Sequence, residues 1–180
     1  MKKSLVMSIA CAAALAGGSL AVQAGHEAIH FRAQLSGLNE VPPTNSRGSA
    51  DLRAQISADE SSITFTLTYR DLTGPPLFAH IHFGQSKVNG GVMVFFCGGD
   101  GKPACPAATS GTVSGTITAA DIVGPAAQGI QPAPAGDFAD VVRAITTNRA
   151  YANMHSAEFP AGEIRGQVQV TGRNDEGDQD

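Results

Sequence analysis

The chain has 180 residues, 42% of them hydrophobic, with no tryptophan and a formal charge of −4. That length and apolar share suit one folded domain. The lack of a basic patch speaks against a nucleic-acid binder, and 6% aromatics speak against a stacking groove for bases or sugars.

Residues 1–24 read as a secretory signal peptide. Lys2-Lys3 open the chain, an alanine-rich apolar run follows from Leu5 to Leu20, and Val22-Gln23-Ala24 sets compact residues at a cleavage point. A transmembrane anchor is the alternative, but the run is short and contains Gly17, Gly18 and Ser19. Lipid attachment at Cys11 fits poorly, because Ser8-Ile9-Ala10 precedes it and the apolar run continues past it. Cleavage after Ala24 removes two lysines and no acid from 12 basic and 16 acidic residues, leaving a charge of −6. The expected domain then spans residues 25–171. His26, second after the cut, is either a copper ligand beside the free amine or part of a solvated terminus.

Alternating runs follow. Ile29, Phe31, Ala33 and Leu35 alternate with His30, Arg32 and Gln34, which predicts a half-buried strand with His30 on its wet face. Gly37 to Asn45, with Pro42-Pro43, reads as a loop. Ala50 to Ile56 and Ile63 to Tyr69 alternate in the same way and predict a hairpin. After Gly74-Pro75-Pro76 comes a strand with Leu77, Ala79, Ile81 and Phe83 on its apolar side. Val92 to Phe96 is apolar on both sides, the mark of a central strand. Another strand follows around Thr112 to Ala119, then an irregular Gly/Pro/Ala segment. Asp137 is placed to cap a helix carrying Phe138, Val141, Val142 and Ile145. Two final strands cover residues 150–155 and 163–170, and residues 172–180 form an acidic tail expected to be disordered. About eight short strands with one short helix predict an all-β, antiparallel Greek-key sandwich or barrel of immunoglobulin-like or superoxide-dismutase-like type.

Cys97 and Cys105 flank a turn-rich loop, and in an exported chain they read as a disulfide. A two-thiolate metal site is the alternative, although the spacer is long for it and a second cysteine pair is missing. No phosphate loop, nucleophile elbow or calcium loop is present. The histidines remain. His80 and His82 share one face of a strand, and Tyr151, Asn153 and His155 share one face of another. If Ala152 and Met154 point inward, His155 points outward as His80 and His82 do. Three imidazoles brought together suit copper or zinc. The competing readings are a pair of polar side chains on a wet strand face and a histidine pair that hydrogen-bonds a nearby loop. Glu163 and Arg165 share the outer face of the last strand, either with the carboxylate orienting an imidazole or as an exposed cross-strand ion pair.

Several of these segments carry a resemblance. Leu35-Ser36-Gly37-Leu38-Asn39-Glu40-Val41-Pro42-Pro43, Ala79-His80-Ile81-His82-Phe83-Gly84, Asn153-Met154-His155 and Pro160-Ala161-Gly162-Glu163-Ile164-Arg165-Gly166-Gln167 resemble the CHRD domain of chordin and of secreted microbial proteins. The resemblance covers roughly residues 29–170 and implies a fold like that of copper–zinc superoxide dismutases. His80 and His82 are similar to the H-x-H copper ligands of those enzymes, and His155 to their last copper ligand. No histidine lies between His82 and His155, so the bridging ligand is vacant and dismutase-like zinc is not expected. The resemblance implies a module that works by binding, without turnover, on an extracellular or envelope protein. The runner-up is a periplasmic copper protein with weak redox activity using His80, His82 and His155. A structural envelope or matrix component is the third reading.

Overall fold

The computed structural model describes residues 27–173. The predicted signal peptide, Cys11, His26 and residues 174–180 lie outside the described residues. The elements are β1 (Ile29–Ser36), β2 (Ser49–Ile56), β3 (Ser62–Arg70), β4 (Pro76–Phe83), β5 (Gly91–Cys97), β6 (Gly111–Thr118), α1 (Phe138–Thr146), β7 (Ala150–Ser156), β8 (Ile164–Gln167) and β9 (Gln169–Arg173). All strand pairs are antiparallel, in the order β5-β4-β7-β8-β1-β2-β3-β6, with β9 also on β1. The sheet is rolled into a nearly closed barrel, and the Phe65 and Phe96 rings meet across its seam at 4.5 Å.

Alternation builds the core. Phe31, Leu52, Ile63, Leu67, Ile81, Met154 and Ile164 are fully or almost fully buried and fill the barrel. The predicted helix caps as expected, with the Asp137 carboxylate accepting from the Ala139 N–H at 2.9 Å. Its apolar stripe of Phe138, Val141, Val142 and Ile145 is buried. Cys97 and Cys105 form a disulfide. A loop this short contributes roughly 2–3 kcal/mol by restricting the unfolded chain.

Four expectations change. Val92 to Phe96 is not central, because β5 ends the strand order. Its apolar character is met by the segment after β6, where the Val123 N–H bonds the Met93 carbonyl at 2.9 Å. Leu77 is not in the core: a register shift between Pro76 and Phe78 leaves Leu77 and Phe78 each 38% exposed. The last predicted strand breaks at Val168 into β8 and β9, and Val170 turns outward. Gly172 and Arg173, which the sequence reading gave to the tail, pair with His30 and Ile29.

Candidate metal centre

β4 places His80 and His82 on one face because Ala79 and Ile81, between and before them, are fully buried inside. β7 runs antiparallel beside it. Asn153 lies opposite His80, Tyr151 opposite His82 and His155 opposite Phe78. Ala152 and Met154 are fully buried inside the barrel, so Tyr151, Asn153 and His155 share the face of the two β4 histidines. Same-face neighbours on paired strands are within side-chain reach. The His80 ring centroid lies 4.5 Å from that of His82 and 4.8 Å from that of His155. One ligand nitrogen from each of His80, His82 and His155 lies within 4.8 Å of the other two. Three imidazoles thus form one cluster on the outer wall of the barrel. His30 sits apart, on the outer face of β1.

Outward does not mean exposed. His80 is only 4% exposed, which corrects the expectation of histidines on a wet strand face. Loops 37–45 and 84–90 extend over this face. Asn89 donates to the Val41 carbonyl at 3.1 Å and ties the two loops together. Phe95 sets its ring edge-on to His80, and Phe78 does the same to His155.

Two of the imidazoles are fixed in tautomer and direction. His82 donates from Nδ1 to the Gly90 carbonyl at 2.8 Å, and His155 from Nδ1 to the Pro160 carbonyl at 2.9 Å. A carbonyl only accepts, so the proton sits on Nδ1 and the Nε2 lone pair is left open. His155 Nε2 and His80 Nδ1 are buried without a hydrogen-bond partner. Orphaned buried nitrogens are costly, and a ligand at this point would relieve them. Burial pushes His80 down to about 2, helped by the nearby His82 and His155. Burial also holds His82 down, to about 4, and lowers His155. All three are therefore neutral at pH 7, the form that binds a metal.

The other residues named from the sequence are buried as well. Glu163 is fully buried and Arg165 is 2% exposed, so they are not an exposed ion pair. Glu163 Oε1 accepts from Ser46 Oγ at 2.6 Å and from the Thr73 N–H at 2.7 Å, which holds two loops against the barrel end. Arg165 donates to Asn89 Oδ1 and to the Gln85 and Val88 carbonyls. Its guanidinium lies 3.4 Å from the Tyr151 ring centroid, and Tyr151 stacks on His82 at 4.5 Å with 6° between planes. Arg165 therefore steadies His82 through an aromatic ring. Glu40 and Asn153 had no role in the sequence reading. Asn153 Nδ2 donates to Glu40 Oε1 in a short hydrogen bond and to the Ile164 carbonyl. Asn153 shared a strand face with His155 in the sequence, so a signal for it existed. Glu40 sat in a loop with no periodicity to mark it, and its one signal was its place in the Leu35 to Pro43 motif segment.

The four segments singled out from the sequence thus meet at one place. A family model for the CHRD domain matches residues 31–168. The chain belongs to the CHRD domain family. Membership marks it as a structural or binding module. No curated protein and no solved structure matches it. CHRD domains occur in secreted proteins, and the disulfide of this one fits an oxidising, extracellular setting. Among the described residues, no helix is long and apolar enough to cross a membrane.

Proposed function

We propose that this CHRD domain is an exported copper-binding module whose ligands are His80, His82 and His155. The observation that supports it is the convergence of three imidazoles, His80 buried and His82 and His155 half-buried, with His80 Nδ1 and His155 Nε2 left without a partner. Three nitrogens bound at about 2.0–2.1 Å to one ion stand within about 4.2 Å of each other, so an inward shift of less than about 1 Å closes the set. An all-imidazole set favours copper or zinc over calcium or magnesium, and copper leads the affinity order. Bound copper would bring a Lewis-acidic, one-electron redox centre. The chain's own part is to fix the rings, exclude bulk water and keep the imidazoles unprotonated. Arg165 and Tyr151 hold His82, and the Pro160 carbonyl holds His155.

Copper titration of the protein carrying His26→Ala, which removes the terminal competitor, tests this. One equivalent should bind with micromolar or better affinity, and His155→Ala should weaken it at least tenfold with the fold retained. Unchanged affinity in His155→Ala would defeat the assignment.

A second reading, engagement of an extracellular or envelope protein, is favoured by Leu38 and Val88. They are 78% and 44% exposed on the two loops that extend over the site. Leu38→Ser should then lower capture of a partner from envelope extracts and leave copper affinity unchanged. Equal capture by both proteins would remove this reading.

A further inference from the structure

The histidine cluster has a companion that the copper reading does not use. Glu40 is only 8% exposed, yet it comes from a loop. Its carboxyl reaches inward to Asn153 Nδ2, and Asn153, 4% exposed, lies directly opposite His80 on the neighbouring strand. The carboxyl is thus one side chain away from a proposed ligand without touching it. On its other side Glu40 lines a cleft of about 660 Å³, with Leu38, Val41, Lys87, Arg165 and Gln167 among the walls. One residue therefore touches Asn153, the cross-strand neighbour of His80, on one side and lines the open cleft on the other.

We propose that Glu40 is the proton-exchanging residue of the histidine site, holding a proton while the imidazoles are free and releasing it into the cleft when a divalent cation enters. The proposal rests on the reading of His80, His82 and His155 as a cation site. It names a role for a carboxyl that lies among groups already serving other ends. Arg165 from β8 attracts the charged form, as do the Val41 N–H and the Asn153 amide. Tyr151 from β7 interacts with Glu40, and Lys87 and Arg32 line the same cleft. Burial outweighs these attractions and raises the carboxyl to about 7. The proton is therefore held near neutral pH but is easily given up.

The direction of the coupling follows from charge. His82 and His155 already carry their ring proton on Nδ1, bonded to a carbonyl, so their Nε2 atoms have no proton to lose to an entering ion. A doubly charged ion among the imidazoles would set two positive charges beyond Asn153, the side chain that separates His80 from Glu40, in a weakly screened interior. The charged carboxylate becomes the favoured form. The O–H bond of Glu40 breaks, the carboxylate keeps the electron pair, and the proton passes to water or buffer in the cleft. Nothing is oxidised or reduced.

The test is proton counting by titration calorimetry. Copper(II) is added to the His26→Ala protein in buffers of unlike ionisation enthalpy, at pH 6 and pH 8. The parent should release about one proton per copper at pH 6 and almost none at pH 8. Glu40→Gln should still bind one copper and release almost none at either pH. A copper-bound water would give the opposite trend, with more release at the higher pH, and that result would overturn the proposal. So would Glu40→Gln releasing as many protons as the parent at pH 6. If the parent binds no copper, the site assignment itself fails, which is a separate result. Should Glu40→Gln fail to fold, carbon-13 carboxyl titration of the parent gives the answer. The Glu40 signal should titrate near pH 7 without metal and well below it with zinc, a diamagnetic probe. A midpoint unmoved by bound zinc would overturn the proposal.

Discussion

Glu40→Gln should be more stable than the parent at pH 7.5, by about 3 kcal/mol, and that advantage should vanish in acid. Burial lifts the Glu40 carboxyl from an ordinary 4.5 to about 7. For an acid raised in this way, the favourable contribution is fully present below the ordinary value and is lost as pH rises through the folded one. Above pH 7 the folded protein therefore holds a buried carboxylate at a cost of roughly 3 kcal/mol, at about 1.4 kcal/mol per pKa unit. Glutamine keeps the shape and the acceptor for Asn153 without the charge. His80 and His82 run the other way. Their values are depressed from 6.5 to about 2 and about 4. Their contributions are present above 6.5 and are lost as pH falls toward the folded values. At pH 4.5 the two together have given up about 5 kcal/mol. In the parent, protonation of Glu40 offsets part of this, so the net loss from pH 7.5 to 4.5 should be only about 2 kcal/mol. In Glu40→Gln nothing offsets it and the loss should be about 5 kcal/mol. Urea unfolding of the metal-free proteins at both pH values, with chelator present, measures each. A Glu40→Gln protein less stable than the parent at pH 7.5, or one with the same pH dependence, would show that the carboxyl is charged and satisfied in the fold.

The same pairing of groups shows what a sequence can carry. Period-two alternation located most of the strands nearly residue by residue, because Ile29 to Leu35 or Ile63 to Tyr69 have one face in the core and one outside. It also put His80, His82 and His155 on compatible faces, since Ile81, Ala152 and Met154 fix the inward direction. What it did not carry is the neighbourhood of those faces. Alternation says which side of a strand a residue takes, not which loop lies over it. His80, Glu163 and Arg165 therefore read as wet, yet His80 and Arg165 are buried under loops 37–45 and 84–90 and Glu163 beneath Ser46 and Thr73. Strand order was likewise hidden for β5, where a two-sided apolar run marks coverage but does not say whether a strand or a loop supplies it. Glu40 was the least legible residue. Its burial depends on a contact 113 positions away, and nothing local distinguishes it from a solvated loop carboxylate. Only the meeting of several motif segments at one point would have raised it.

That meeting depends on a residue with no side chain. Gly162 adopts a φ of +130°, and a Cβ built there would lie 2.9 Å from Glu40 Oε1 and 3.0 Å from Asn153 Nδ2. Gly162→Ala should therefore cost about 3 kcal/mol or more, from backbone strain of order 1–3 kcal/mol with overpacking added. Both atoms are the far ends of side chains, which normally yield cheaply. Here neither is free: Asn153 is also bonded to the Ile164 carbonyl, and the Glu40 carboxyl is held by Asn153 and the Val41 N–H. The effect should also reach the histidines. Pro160, whose carbonyl fixes the His155 ring, lies two residues before Gly162, and Asn153 lies opposite His80. Copper affinity of Gly162→Ala should fall at least tenfold even where the protein remains folded. Gly101→Ala is the control. Gly101 has a φ of +75° but open space where a Cβ would go, so it should lose only about 1 kcal/mol and keep its copper affinity. Chemical unfolding and copper titration of the two variants side by side read both effects. Equal losses of stability would mean that only the backbone conformation matters at Gly162. Normal copper affinity in a destabilised Gly162→Ala would mean that the Glu40–Asn153 contact supports the barrel but not the site.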